Sequence, residues 1–227
     1  NENPIIAPQT FGVADDAPNT TFVGNVVASD PDVPAQTLTY AITAGNTGSA
    51  FTIDASTGAI TVLTSAAVNF EVTPTFSLTV EVTDNGTGNL TAANTITINL
   101  SDVNETPIVN DQPFSIAENS PNATSVGTVA ASDPDGDTLA YAITAGNTGG
   151  AFAINATTGE ITVANTAAVD FEAAPSFSLT VQVTDDDPTT PLSDTATVTI
   201  TLTDVNEAPV LNDATQIVGE NSPNGTN

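Results

Sequence analysis

Along the stretch SFSLTVQVTD, residues 176–185, apolar and polar side chains alternate strictly. Phe177, Leu179, Val181 and Val183 point one way, and Ser178, Thr180 and Gln182 the other. DTATVTITLTD, residues 194–204, repeats the pattern, with Val198, Ile200 and Leu202 set against Thr197, Thr199 and Thr201. A period of two sustained this long predicts half-buried antiparallel strands. Runs of this kind, bounded by Pro, Gly, Asn and Asp, number about seven per hundred residues, the spacing of a Greek-key sandwich. No stretch carries a helical period.

The pattern also recurs at long range. LTYAITAGNTGSAFTIDASTGAITV (residues 38–62) returns as LAYAITAGNTGGAFAINATTGEITV (residues 139–163), so that Tyr40 reappears as Tyr141. SDVNETPIVND (residues 101–111) returns as TDVNEAPVLND (residues 203–213). A repeat of this length is a domain and not a solenoid unit. The expected division is residues 1–105, residues 106–207, and a third segment of residues 208–227. The opening NENPIIAPQTFGVADDAPN matches the junction sequences, so the chain reads as a window onto a longer array. The third segment is read as the first strand of a truncated repeat or, alternatively, as a strand donated to a neighbouring subunit, which would link chains into a filament.

Composition sharpens the picture. The 227 residues include 27 acids and no Lys, Arg or His, a formal charge of −27. Such self-repulsion opposes a compact state unless cations neutralise it. Nucleic acid and anionic membranes need basic patches and are poor partners, so no nucleic acid and no direct membrane insertion of this segment are expected. High charge favours disorder, but a hydrophobic content of 39% in regular runs opposes it. The absence of Cys and His removes disulfides, thiol chemistry, the usual general base and the usual soft-metal ligands. The absence of Lys removes Schiff bases and isopeptide cross-links. Nothing approaches the length of a membrane-spanning segment, and since residue 1 is not Met, no inference about a signal peptide follows.

The carboxylates gather at strand ends and turns, while strand bodies carry Thr, Ser and Ala on their wet faces. SDPDGD (residues 132–137) places Asp133, Asp135 and Asp137 at alternate positions, a pattern shared by calcium loops and plain turns. DVNE (residues 102–105) adds two acids at a boundary. NFE (residues 69–71) and DFE (residues 170–172) place oxygens ahead of a long strand.

YAITAGNTGGAFAINATTGEITV, VDFEAAPSFSLTVQVTD and DVNEAPV, in this order, resemble the successive signatures of cadherin repeats in a bacterial-looking version, over two whole repeats and both flanks. The resemblance implies tandem seven-stranded immunoglobulin-like β-sandwiches with calcium clustered at each junction. Carried over by position, the complete junction would draw on Asp15, Asn69, Glu71, Asp102, Asn104 and Glu105 with Asp133, Asp135, Asn147 and Asp185. Asn104 and Asn147 would serve mainly through their backbone carbonyls. The next junction would draw on Glu118, Asp170, Glu172, Asp204, Asn206 and Glu207. The preceding one would draw on Asn1, Glu2, Asp30, Asp32, Asn46 and Asp84. Asp15 stands where the family has Glu, and Asn69 where it has Asp, so weaker binding or fewer ions are expected at the complete junction. Even so, that junction gathers seven carboxylates.

Asp54, Glu81, Glu160 and Asp194 read as solvated turn or face residues. Asp111, Asp186, Asp187 and Asp213 lie near the ligand loops, and Phe70 and Phe171 read as core anchors. Sequons begin at Asn19, Asn85, Asn89, Asn104, Asn122, Asn155 and Asn224. The expected role is an extracellular or cell-surface array in which calcium stiffens a rod, stalk or filament shaft. Its partners would be calcium ions and neighbouring repeats or identical subunits. The alternative is a calcium-dependent adhesin or glycan-binding module, for which no exposed aromatic anchor is evident. No enzyme is expected, because the acids match metal-ligand positions and lack an aromatic platform.

Overall fold

The computed structural model describes residues 1–208. Strands in the first repeat are β1 (Ile5–Ile6), β2 (Gln9–Ala14), β3 (Phe22–Asn25), β4 (Ala28–Ser29), β5 (Thr39–Ala44), β6 (Phe51–Ile53), β7 (Ala59–Val62), β8 (Thr75–Thr83) and β9 (Thr91–Ser101). The second repeat follows the same plan: β10 (Ile108–Val109), β11 (Gln112–Ala117), β12 (Ser125–Thr128), β13 (Ala131–Ser132), β14 (Ala140–Ala145), β15 (Phe152–Ile154), β16 (Glu160–Val163), β17 (Ser176–Thr184) and β18 (Ser193–Thr203). In each repeat a four-stranded sheet accompanies a three-stranded one: β2-β9-β8-β5 with β3-β7-β6, and β11-β18-β17-β14 with β12-β16-β15. These seven strands match the expected count. The remaining two-residue strands form separate pairs.

The described chain divides into two compact units. The first holds residues 1–108 together with 131–139 and 184–194. The second holds 109–130, 140–183 and 195–208. Two acidic loops of the second sequence repeat therefore fold into the first unit.

The alternation buries what it promises. Leu78, Val80 and Val82 of β8 and Ile96 and Ile98 of β9 are wholly buried, as are Leu179, Val181, Val183, Val198 and Ile200 in their copies. Phe51 meets Phe76 edge to face with centroids 5.0 Å apart, and Phe152 meets Phe177 identically. This is the geometry that opposes a ring's negative face to a positive edge.

Three features depart from the sequence reading. β2 pairs with β9, and β11 with β18, in parallel and not antiparallel register. The intervening strands cross between sheets, so no hairpin fixes the relative direction of first and last. The first strand is also broken: β1 pairs with β4, and β2 with β9. Gln9 bridges the break, its Oε1 accepting from the Val27 N–H at 2.9 Å and its Nε2 donating to the Val27 carbonyl at 3.0 Å. Gln112 does the same with Ala130. Finally, an aromatic is exposed. Phe22, on β3, is 60% accessible.

Candidate metal centre

The sequence puts short acidic turns at the strand ends, and the fold of the first unit collects them. Asp15 follows β2, Glu71 lies in the turn before β8, and Asp102 and Glu105 follow β9. The loops at 131–139 and 184–194 add Asp133, Asp135, Asp137 and Asp185. One carboxylate oxygen from each of Asp15, Glu71 and Asp102 lies within 4.8 Å of the others. The same holds for Glu71, Glu105 and Asp135, and for Asp133, Asp135 and Asp137. Glu71 and Asp135 belong to two groups each, so the acids form one continuous centre. An open cleft of about 420 Å³ beside it is lined by Asp102, Asn104, Asp135, Asp137 and Asp187 among others.

Hydrogen bonds fix the frame. The Asn104 amide donates to Asp185 Oδ2 at 3.1 Å and to the Thr190 carbonyl at 2.9 Å. The Glu105 N–H donates to Asp135 Oδ2 at 2.8 Å. The Asp135 N–H donates to Asp133 Oδ1 at 3.0 Å, and the Leu192 N–H to Asp185 Oδ1 at 3.0 Å. Other oxygens have nothing. Both carboxylate oxygens of Asp15, both of Glu105, Oδ2 of Asp133 and Oδ1 of Asp135 are buried without a hydrogen-bond partner among the described residues. Asp15 is only 3% exposed.

Burial pushes the Asp15 carboxyl above its ordinary pKa; the nearby Phe70 N–H opposes the shift, and the Asp16 and Asp102 charges add to it. Burial, then the facing Asp135 carboxyl, then the charges of Asp15 and Glu71 push Glu105 up to about 8. Burial and then the Asp133 charge raise Asp137. Isolated buried carboxylates cost several kcal/mol each unless a counter-charge meets them, and the chain has no basic side chain to supply one. A set of many loop oxygens, with no nitrogen or sulfur donor, is the ligand set of a hard divalent cation such as calcium. The residues fit that ion.

The second unit repeats half of the arrangement. Glu118, Glu172 and Asp204 bring oxygens within 4.8 Å of one another. Glu118 accepts from the Val205 N–H at 2.7 Å and the Phe171 N–H at 2.9 Å, and these bonds hold its pKa below the ordinary value. Glu207 accepts from the Asn119 amide, and Asn206 is exposed.

At the N-terminal end of the first unit, Asn1 donates to Asp84 Oδ2 at 3.2 Å, and the Glu2 N–H to Asp32 Oδ2 at 3.0 Å. The Asp32 N–H donates to Asp30 Oδ1 at 2.9 Å. These contacts copy those of Asn104, Glu105, Asp133, Asp135 and Asp185. Gln36 stands near the place of Asp137, donating to Asp32 Oδ2 at 3.1 Å.

Several expected ligands, and several acids outside the expected set, make other hydrogen bonds. The Asn46 and Asn147 side chains close turns onto the N–H and carbonyl of Phe51 and Phe152. Their own carbonyls accept from Ser49 and Gly150 at 3.1 Å. Asn69 and Asp170 accept from the Val72 and Ala173 N–H groups, each at 2.9 Å. Asp186 holds the Thr138 N–H, Asp187 the Thr189 and Thr190 N–H groups, and Asp111 the Thr197 N–H. Asp54 caps an exposed turn and Glu160 accepts from Ser125. Asp137 joins the centre, although the ligand set that the resemblance implies does not include it. Its signal was alternation with Asp133 and Asp135. Asp213 and the donor-strand segment lie outside the described residues, apart from Ala208.

Known proteins share this plan. The cadherin domain model matches residues 9–101 and 112–203. Human protocadherin Fat 1 is 35% identical over 238 residues, covering 99% of this chain and 5% of that protein. The wing polarity protein stan of Drosophila melanogaster, described as protocadherin-like, is 35% identical over 209 residues, covering 88% of this chain and 6% of its own length. Among solved structures, the EC22-24 fragment of mouse cadherin-23 superposes with a TM-score of 0.63 at 27% identity, covering 89% of this chain and 65% of that one. The chain thus spans about a twentieth of these curated relatives. All three proteins are from animals, and the bacterial character read from the sequence finds no support among them.

Proposed function

The chain belongs to the cadherin family, and from that premise we propose that it is a calcium-binding segment of an extracellular structural or adhesive array. Cadherin repeats are adhesion and structural domains and not enzymes, and they bind calcium in general. The observation that carries the reading is the burial of both oxygens of Asp15 and both of Glu105 without partners, amid further carboxylates. Calcium at this centre would tie the linker acids Asp102 and Glu105 to the loops bearing Asp133, Asp135 and Asp185. Clamped in this way, successive repeats act as a stiff shaft. Without the ion, like charges drive the linker and loops apart and the shaft becomes a flexible string. Among the described residues no helix is long and apolar enough to cross a membrane.

Thermal unfolding at graded calcium, with a chelator control, tests the binding step. A ligand specific to the folded state adds about 2.7 kcal/mol at a hundredfold excess over its Kd, so the midpoint climbs with calcium. Solution scattering with and without calcium tests the stiffening. A midpoint indifferent to calcium removes the metal centre, while an unchanged scattering profile removes only the shaft.

A further inference from the structure

We propose that the turn carrying Asn19, and its copy carrying Asn122, is an acceptor site for an N-linked glycan. Each sequon has the form Pro-Asn-x-Thr: Pro18 to Thr21, Pro121 to Thr124, and again Pro223 to Thr226 in the third sequence copy. The other sequons do not recur in this way. Asp54 stands where the second repeat has Asn155, Asp186 stands where the first has Asn85, and the junction copies of Asn104 lack the hydroxyl residue two places on.

The local geometry suits an acceptor. The Thr21 N–H bonds to the Pro18 carbonyl at 3.0 Å and the Thr124 N–H to the Pro121 carbonyl at 3.1 Å, closing tight turns. The residues after the asparagines, Thr20 and Ala123, have φ of 74° and 68°, so the Asn side chain stands at the turn's tip. Asn19 and Asn122 are both exposed. Their Oδ1 atoms accept from the Ser65 N–H at 2.7 Å and the Thr166 N–H at 2.8 Å, which orients each amide while Nδ2 makes no bond to the described residues. The hydroxyls of Thr21 and Thr124 likewise have no partner among them. Capping explains the asparagine alone; the repeated, unengaged hydroxyl two residues on is what an N-glycosylation acceptor needs. By contrast, the Asn104 amide is fully engaged with Asp185 and Thr190 and is not an acceptor in the folded centre.

The donor class is an oligosaccharide on a polyprenyl pyrophosphate carrier. The amide Nδ2 loses a proton and bonds to the sugar's anomeric carbon. The carbon–oxygen bond to pyrophosphate breaks, and the carrier pyrophosphate leaves with the electron pair.

The test is secretion of the 227-residue chain, behind an added leader, from a eukaryotic cell that N-glycosylates. Intact mass is read before and after peptide N-glycosidase, which leaves Asp at each occupied site. Peptides come from an Asp/Glu-specific protease, since the chain has no Lys or Arg. The expected result is glycan at Asn19 and Asn122 and none at Asn104. Thr124→Ala abolishes the Asn122 glycan with the unfolding midpoint of the deglycosylated chain unchanged, and Thr124→Ser retains it. Secreted, folded chain with Asn19 and Asn122 unmodified overturns the proposal and leaves the calcium reading untouched.

Discussion

Glu118 accepts hydrogen bonds from two backbone N–H groups, those of Val205 and Phe171, whereas Asp15, its counterpart one repeat earlier, accepts none. The side chains differ by one methylene, and Glu118 sits in a centre that holds only half of the arrangement. The longer arm reaches the N–H groups that pin it, and its pKa falls; the shorter one stays buried and unpinned, and its pKa rises.

Lengthening that arm should therefore order the first centre. Asp15→Glu is expected to gain the bonds that Glu118 makes, at a net stabilisation of about 1 kcal/mol for a charged ligand held ready. Roughly fivefold tighter calcium binding follows. Isothermal titration of the two proteins checks it, and equal or weaker binding in the variant would show that the missing methylene does not limit the site.

The raised pKa values set a pH dependence for the metal-free protein. Asp15, Glu71 and Glu105 are all shifted upward, each chiefly by burial and Glu105 to about 8. The folded state then binds more protons than the unfolded chain, so stability declines as pH rises from the ordinary carboxylate range towards about 8. Calcium needs the ionised forms, and in its presence the trend should reverse. Unfolding midpoints from pH 5 to 8, with and without calcium, read both slopes. Parallel slopes would mean that the ion does not engage these groups.

Much of this was legible in the residues because each signal is local. Alternation in 176–184 and 193–203 follows from the pleat itself, and the short arm of Asp15 is visible by comparison with Glu118. What escaped depends on contacts between distant segments. Gln9 looks like any polar strand residue until Val27 is placed beside it. The parallel register of β2 with β9 joins residues more than eighty positions apart, with no turn signal between them. Asn147 carries the same motif as Asn46, and in both copies the amide closes a turn, a use that the sequence does not show and that leaves the carbonyl role expected of Asn147 untouched. Phe22 fits an alternating strand and still faces outward, because the strand is bulged between Phe22 and Gly24.

That motif imposes a backbone constraint of its own. Gly45 has φ of 78°, and a Cβ there would lie 1.9 Å from the Ser77 carbonyl oxygen; Gly146 meets Ser178 in the same way. Backbone faces backbone, so neither side can yield cheaply. Gly45→Ala is expected to destabilise the first unit by more than about 1 kcal/mol, read as a lower denaturant midpoint. A change within error would mean that the turn relaxes freely.

Asp54 and Asn155 offer a natural comparison between a charged and a neutral cap. Asp54 Oδ1 accepts from the N–H and hydroxyl of both Ser56 and Thr57, at 2.7–2.9 Å. Asn155 makes only the two backbone bonds, to Thr157 and Thr158. The four donors, the Ser56 hydroxyl foremost, hold the Asp54 pKa far below the ordinary carboxylate value. A depressed folded pKa adds stability that is present above the unfolded value, roughly 4, and lost as pH falls through the folded one. Asp54→Asn should keep the turn, leave the midpoint at pH 7 within about a degree or two, and lessen the loss between pH 5 and 2. Asp54→Ala, which removes the acceptor, should lower the midpoint at every pH. If Asn and Ala behave alike at pH 7, the turn owes nothing to this oxygen, and the same conclusion would extend to Asn155.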